Sequence, residues 1–316
     1  MSTTRVLAVT CAVLALGLSA PGCKKKSKSK KDDKTEQKAD AKDDAGERPE
    51  GKSLDNLDGP DISGPVPPET DAVFYVVDGS SALQPIGCFI KDGAKLASGK
   101  ACLEVGKAGD PIYLKSATSA ELDTLGPAKH PLCDVGATGA PSALSAPKVD
   151  AGQNFDFATW PKSLGTKVLE VPADTWGEDA HQIGDDDRKA LAAAIKAINS
   201  KAVEKVEIHQ AATLDFDGDG KEDNFFSAYI VDPRDSDKFR FSGLFVRRGS
   251  APDKLTLIDK DKTKQETLTL RAAPDLNGDG IHELWVNAAF NEGGGDRIYK
   301  AEGEAFKSLG KWTCGM

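Results

Sequence analysis

Asp215-Phe216-Asp217-Gly218-Asp219-Gly220-Lys221-Glu222-Asp223 and Asp275-Leu276-Asn277-Gly278-Asp279-Gly280-Ile281-His282-Glu283 are two copies of one pattern, D-x-[DN]-G-D-G-x-x-[DE], with first residues 60 positions apart. Oxygen-bearing side chains at positions 1, 3, 5 and 9 can converge on one point, and the backbone carbonyl at position 7 can join them. Glycine at position 6 permits the sharp reversal that brings the ends together. Such a set of hard oxygen donors suits a hard divalent cation, and Ca2+ is the expected ion. Without a cation, carboxylates held this close repel by about 1–4 kcal/mol per pair. The first loop offers four carboxylates and the second three plus an amide, so by charge the first is expected to bind more tightly.

The segment after each loop sets the fold class. Phe225-Phe226-Ser227-Ala228-Tyr229-Ile230-Val231 and Leu284-Trp285-Val286-Asn287-Ala288-Ala289-Phe290 are strand-like. An EF-hand needs a glutamate at position 12 and a helix on each side. Position 12 here is Phe226 or Val286, so the EF-hand is excluded. Dockerin modules are excluded too, because their repeats are closer together and helical. From Ala202 onward Val206, Ile208, Leu244, Val246, Leu255, Leu257, Leu268, Leu270 and Tyr299 fall in short, often alternating runs separated by Gly- or Asp-rich turns. The expectation is a mainly β fold of short antiparallel strands, propeller-like in part or a sandwich, with one helix. Asn291-Glu292-Gly293-Gly294-Gly295-Asp296 reads as a hairpin turn, since no helix and no Gly-Lys-Ser/Thr comes after it.

Over residues 204–290 the loop-plus-strand pattern resembles the FG-GAP type of repeat, found in integrin-like β-propellers and in many secreted bacterial proteins. The resemblance implies calcium ligands at Asp215, Asp217, Asp219 and Asp223 with the Lys221 carbonyl. In the second loop it implies Asp275, Asn277, Asp279 and Glu283 with the Ile281 carbonyl. Two repeats cannot close a propeller, and the N-terminal half carries no copies of the motif. Extracellular sites of this kind bind with dissociation constants of roughly 0.1–1 mM.

The chain has 316 residues, 39% hydrophobic and 29% charged, with a net charge of -9. An acidic balance argues against nucleic acid as a partner, which needs a basic stripe. Arg5 and the apolar run Val6–Leu18 read as a signal peptide over residues 1–22, too short for a comfortable membrane span. The run ends in Ala20-Pro21-Gly22-Cys23, which resembles the lipobox of bacterial lipoproteins and implies lipidation of Cys23. The rival is ordinary cleavage after Ala20. Lys24-Lys25-Lys26-Ser27-Lys28-Ser29-Lys30-Lys31 and the charged residues after it cannot build a core, so 23–70 is expected to be a disordered tether. Its basic end would lie near anionic headgroups. The expected setting is the exported bacterial envelope, anchored at the outer membrane or cell surface.

Residues 71–184 read as an N-terminal β-rich region and 185–316 as a helix followed by the β region with both loops. Ala72–Val77, Cys88–Ile90, Lys100–Val105 and Pro111–Leu114 are candidate strands with a turn at Asp92-Gly93, and 126–165 reads as irregular loop. Asp185-Asp186-Asp187 caps a helix with Leu191, Ile195 and Ile198 on one face. Setting aside Cys11 and Cys23 leaves four cysteines, which allow three pairings. The preferred one joins Cys88 to Cys102 as a hairpin staple and Cys133 to Cys314 as a long-range tie.

Two functions remain open. One is a non-enzymatic, calcium-stabilised module that binds a protein or glycan ligand, or serves structurally. The other is a hydrolase. His130, His181, His209 and His282 pair with no nucleophile motif, and G-x-S-x-G and H-E-x-x-H are absent. A buried carboxylate pair in a cleft away from both loops would favour the hydrolase.

Overall fold

The alternation in the C-terminal sequence becomes stacked sheets in a computed structural model of the chain, which describes residues 59–78, 82–130, 143–171, 183–201, 205–291 and 293–315. These residues fall in one compact unit, Asn56–Met316. The N-terminal sheet comprises β1 (Ala72–Asp78), β2 (Ala82–Ile90), β3 (Lys95–Ala97), β4 (Pro111–Lys115), β5 (Ala120–Thr124), β6 (Ala128–Lys129), β7 (Ala143–Leu144) and β8 (Phe157–Trp160). Its order is β5-β4-β8-β1-β2-β7-β6, with β3 also on β2. A one-turn helix α1 (Pro147–Asp150) precedes β8. After it come β9 (Val168–Glu170), α2 (Asp185–Ile198) and two meanders. The first meander is β10 (Glu207–Leu214), β11 (Asp223–Asp232), β12 (Asp235–Arg247) and β13 (Leu255–Lys260). The second is β14 (Thr267–Pro274), β15 (Leu284–Phe290), β16 (Gly293–Glu302) and β17 (Ala305–Gly315), extended by β9 pairing along β14. The fold is mainly antiparallel β, as the sequence implies.

Period-two side-chain alternation sorts the strands into layers. On β1, Val73 and Tyr75 face a cluster with Cys102, Val149 and Phe155, while Phe74 and Val76 face Trp285 and Ile298 of the second meander. The far face of that meander, with Leu284, Val286, Leu268 and Leu270, packs on Phe225, Leu244 and Val246 of the first. The first meander's remaining face, Phe226, Ala228, Ile230 and Phe245, is covered by Leu191 and Ile195 of α2. The order across the molecule is therefore N-terminal sheet, second meander, first meander, helix. Two covered faces explain why β15 is apolar apart from Asn287, and β11 is apolar over Phe225–Val231 apart from Ser227. Gln210 joins the meanders directly. It is fully buried, and its amide donates to the Leu270 carbonyl and accepts from the Leu270 N–H, both at 2.8 Å, just beyond the end of β9 pairing.

Several expectations need correction. Residues 59–70, expected to belong to a disordered tether, are held against the fold. Ile62 packs on the core, Lys162 Nζ donates to the Asp61 carbonyl at 2.7 Å, Ser163 Oγ donates to the Pro65 carbonyl, and Pro67 is buried. The prolines of this segment suit a strap that needs few ladder hydrogen bonds. Lys100–Val105 is not a strand. A 3-10 turn over Gly99–Cys102 brings Cys102 to Cys88, forming the expected disulfide with Cα atoms 5.6 Å apart. The third strand is Lys95–Ala97 instead, after the turn at Asp92-Gly93. Residues 126–165 are not all loop, because β8 lies between β4 and β1 near the middle of its sheet. The N-cap of α2 is Gly184, with the three aspartates in the first turn, and Ile198 at its C-terminal end is 37% exposed. The signal segment, Cys23, Cys133 and His181 lie outside the described residues, as does the Cys314 side chain on β17.

Candidate metal centre

Each acidic loop connects the first strand of a meander to the second, β10 to β11 and β14 to β15. The two loops close with the same three hydrogen bonds. Asp215 Oδ2 accepts from Gly220 N–H at 3.0 Å, and Asp275 Oδ2 from Gly280 N–H at 3.3 Å. Asp219 Oδ1 accepts from Lys221 N–H and Asp279 Oδ1 from Ile281 N–H, both at 2.8 Å. Position 9 reaches back to position 2, with Phe216 N–H donating to Asp223 Oδ2 at 3.2 Å and Leu276 N–H to Glu283 Oε2 at 2.9 Å. Glycines 218, 220, 278 and 280 all have φ between +67° and +82°, which explains glycine at positions 4 and 6.

In the first loop one carboxylate oxygen from each of Asp215, Asp217 and Asp223 lies within 4.8 Å of the others. Among the described residues this is the one group of three or more acidic, His or Cys side chains placed to hold a metal ion. Asp217 Oδ1 is buried and accepts no hydrogen bond. In the second loop Asp275 is 2% exposed, and its Oδ1 is likewise buried with no donor. Buried polar oxygens ordinarily have partners. Each loop holds an orphan carboxylate oxygen among hard oxygen donors, but among the described residues three acidic side chains are gathered only in the first. Asp219 and Asp279 lie at the exposed rim, where Asn277 Nδ2 donates to Asp279 Oδ2 at 2.7 Å.

The electrostatics point the same way. Burial, reinforced by Asp217 and Asp219, pushes the Asp223 carboxyl up to about 6 against the N–H groups of Gly249 and Phe216. Burial, reinforced by Asp279 and Asp275, pushes Glu283 up to about 8. These carboxylates are costly to ionise as they stand, and a cation offsets that cost.

Three contributors have no signature in the motif. Gly249 N–H donates to Asp223 Oδ1 at 2.9 Å. Arg248 lies over the rings of Phe216 and Phe306, at 5.2 and 5.7 Å, donates to the Gly303 carbonyl, and brings Nη1 to 3.8 Å from Asp217 Oδ2. That guanidinium offsets the charge advantage of the first loop. Pro67 of the strap lies against Gly278, where a Cβ would come within 2.0 Å of the Pro67 carbonyl. The loops also touch each other. His282 N–H donates to the Phe216 carbonyl at 2.8 Å, and His282 Nδ1 lies 3.2 Å from the same oxygen. Since a carbonyl only accepts, that contact calls for the Nδ1–H tautomer.

Away from the loops, a cavity of about 460 Å³ between β13 and the β16–β17 hairpin contains Asp259 and Glu266. Arg297 holds both, Nη1 donating to Asp259 at 2.6 Å and Nη2 to Glu266 at 2.5 Å, and the Tyr299 hydroxyl donates to Asp259. His130 is exposed and His209 half-buried on β10. No known protein family, curated protein or solved structure matches the chain.

Proposed function

We propose that this chain is an exported, membrane-anchored lipoprotein of the bacterial envelope, whose folded part is a non-enzymatic, Ca2+-ordered β module that binds or presents a protein or glycan ligand. The observation that carries the reading is the repeat itself. Two loops with one ligand pattern close with the same three hydrogen bonds, each at the first turn of a four-stranded meander, and each leaves one carboxylate oxygen buried without a donor. A strand–loop–strand unit of this spacing is what FG-GAP repeats present.

The first ion is held by Asp215, Asp217, Asp219, Asp223 and the Lys221 carbonyl. The second is held by Asp275, Asn277, Asp279, Glu283 and the Ile281 carbonyl. The bound cation supplies positive charge to buried carboxylates and so ties the first turn of each meander together. Donor number and hardness favour Ca2+ over Mg2+, which demands tighter octahedral geometry and keeps its waters. Lipidation at Cys23 and the lysines next to it supply the anchor.

Ca2+ is expected to raise the melting temperature of the full-length chain, and Asp217→Ala and Asp279→Ala each to remove part of that rise. If neither variant alters it, the ligand assignment is wrong. A second reading, hydrolysis, draws on the Asp259–Glu266 pair in its cavity. Arg297 bridges both groups, an arrangement that suits structural bracing of β13 against β16.

A further inference from the structure

We infer that the two loops take up their ions as one coupled unit, with Phe216 as the link. The inference rests on the cation reading above and adds to it a regulation of the same site.

The coupling runs through a single chain of peptide groups. In the second loop the position-7 carbonyl belongs to Ile281, and the N–H of that same peptide unit is the one His282 donates to the Phe216 carbonyl at 2.8 Å. That carbonyl in turn belongs to the peptide unit leading into Asp217, the position-3 ligand of the first loop. Phe216 also donates its own N–H to Asp223, the position-9 ligand, at 3.2 Å. One residue is therefore tied to a ligand carboxylate of the first loop and to the ligand-bearing peptide of the second.

The link is stiff. The Phe216 side chain is fully buried, with the rings of Phe225 and Phe306 at 5.7 and 5.8 Å and the Arg248 guanidinium at 5.2 Å. A second contact lies beside it. A Cβ on Gly218 would stand 2.8 Å from the Gly280 carbonyl, so the two reversals fit only with glycine at that place.

A cation drawing on the Ile281 carbonyl makes the N–H of the same peptide a stronger donor, because hydrogen bonds in series polarise one another. Phe216 is then held more firmly, and Asp217 and Asp223 on either side of it are ordered in advance. The second ion to arrive finds less to order, which is positive cooperativity without a large movement. Coupling of this kind amounts to about 5- to 150-fold in affinity, and it is reciprocal.

The test is calorimetric titration of CaCl2 into the full-length chain and into Asp217→Ala and Asp279→Ala. The wild-type chain is expected to bind two ions cooperatively. Each variant should bind its remaining ion about 5- to 150-fold more weakly than the intact chain does, by the same factor in both directions. A remaining loop that binds as tightly as in the intact chain overturns the coupling while leaving the cation reading in place. Should either variant melt below the wild type in chelator, the wild-type titration decides alone: two ions taken up with a Hill coefficient above 1 are expected, and a coefficient of 1 counts against the link. A wild-type chain that binds no Ca2+ removes the cation reading and the coupling together.

Discussion

The loop at 215–223 and the loop at 275–283 share three internal hydrogen bonds and are buttressed by different neighbours. The first has a guanidinium beside Asp217 and an N–H from Gly249 on Asp223. The second is wedged beneath the proline strap, with Asp275 and Glu283 almost entirely buried. Local sequence dictates how each loop closes. Surroundings reached from far along the chain also bear on how each loop is held and how much charge it presents, so ligand counting alone does not rank the two.

Glycine-to-alanine changes probe this contrast with the largest expected effect. Gly278→Ala combines a φ of +71° with a Cβ 2.0 Å from the Pro67 carbonyl. It should cost about 3–4 kcal/mol and release the strap. Gly218→Ala, at the same position of the first loop, meets the Gly280 carbonyl at 2.8 Å and should cost about 2 kcal/mol. Gly220→Ala has φ +79° and open space around it, leaving only the backbone penalty of about 1 kcal/mol. Urea unfolding in chelator measures all three, and equal costs would show that the strap adds nothing to the second loop.

Arg248 sharpens the comparison at the level of affinity. On the proposed reading the guanidinium competes with the first cation, so Arg248→Met should tighten Ca2+ binding there about three- to tenfold at low ionic strength. An unchanged or weaker affinity would make Arg248 a buttress of Phe216 instead.

The smallest effect concerns a buried carboxylate that has its own donors. Asp296 accepts from Trp285 Nε1 at 2.7 Å and from Asn287 Nδ2 at 3.2 Å, and burial holds its carboxyl above the usual range. A raised carboxyl contributes stability that is present below its unfolded value, near 3.9, and lost as pH rises through the folded one. Asp296→Asn cannot ionise, so its melting temperature relative to wild type should climb by a few degrees between pH 4 and pH 7. The climb should be the same with and without Ca2+. A climb that appears only in chelator would place Asp296 within the cation network.

The parts legible in the sequence are those whose causes are local. The repeat of the acidic loops, their positive-φ glycines, the strands after each loop and the amphipathic face of α2 all lie within a few turns of chain. The disulfide was legible too, because fourteen residues and a turn separate Cys88 from Cys102. The hidden parts depend on long-range pairing. Phe157-Ala158-Thr159-Trp160 is short and set among Gly, Pro and Ser, and its central position in the sheet follows only from β1 and β4 flanking it. Val168–Glu170 joins a strand about a hundred residues further on. Nothing around Arg248 or Pro67 marks them as neighbours of the loops, and the hydrogen bond between His282 and Phe216 joins two backbone groups that any sequence would supply.

The most direct test of the central claim is thermal unfolding of the full-length chain in 10 mM Ca2+ (a concentration about ten to a hundred times the dissociation constants expected of such sites) and in excess chelator. Two such sites stabilise the fold enough to raise the melting temperature by about 5–20 °C. That rise, absent with Mg2+ at the same concentration, is the expected result. Superimposable transitions in Ca2+ and chelator would contradict the account and reduce both loops to tight turns that hold no ion.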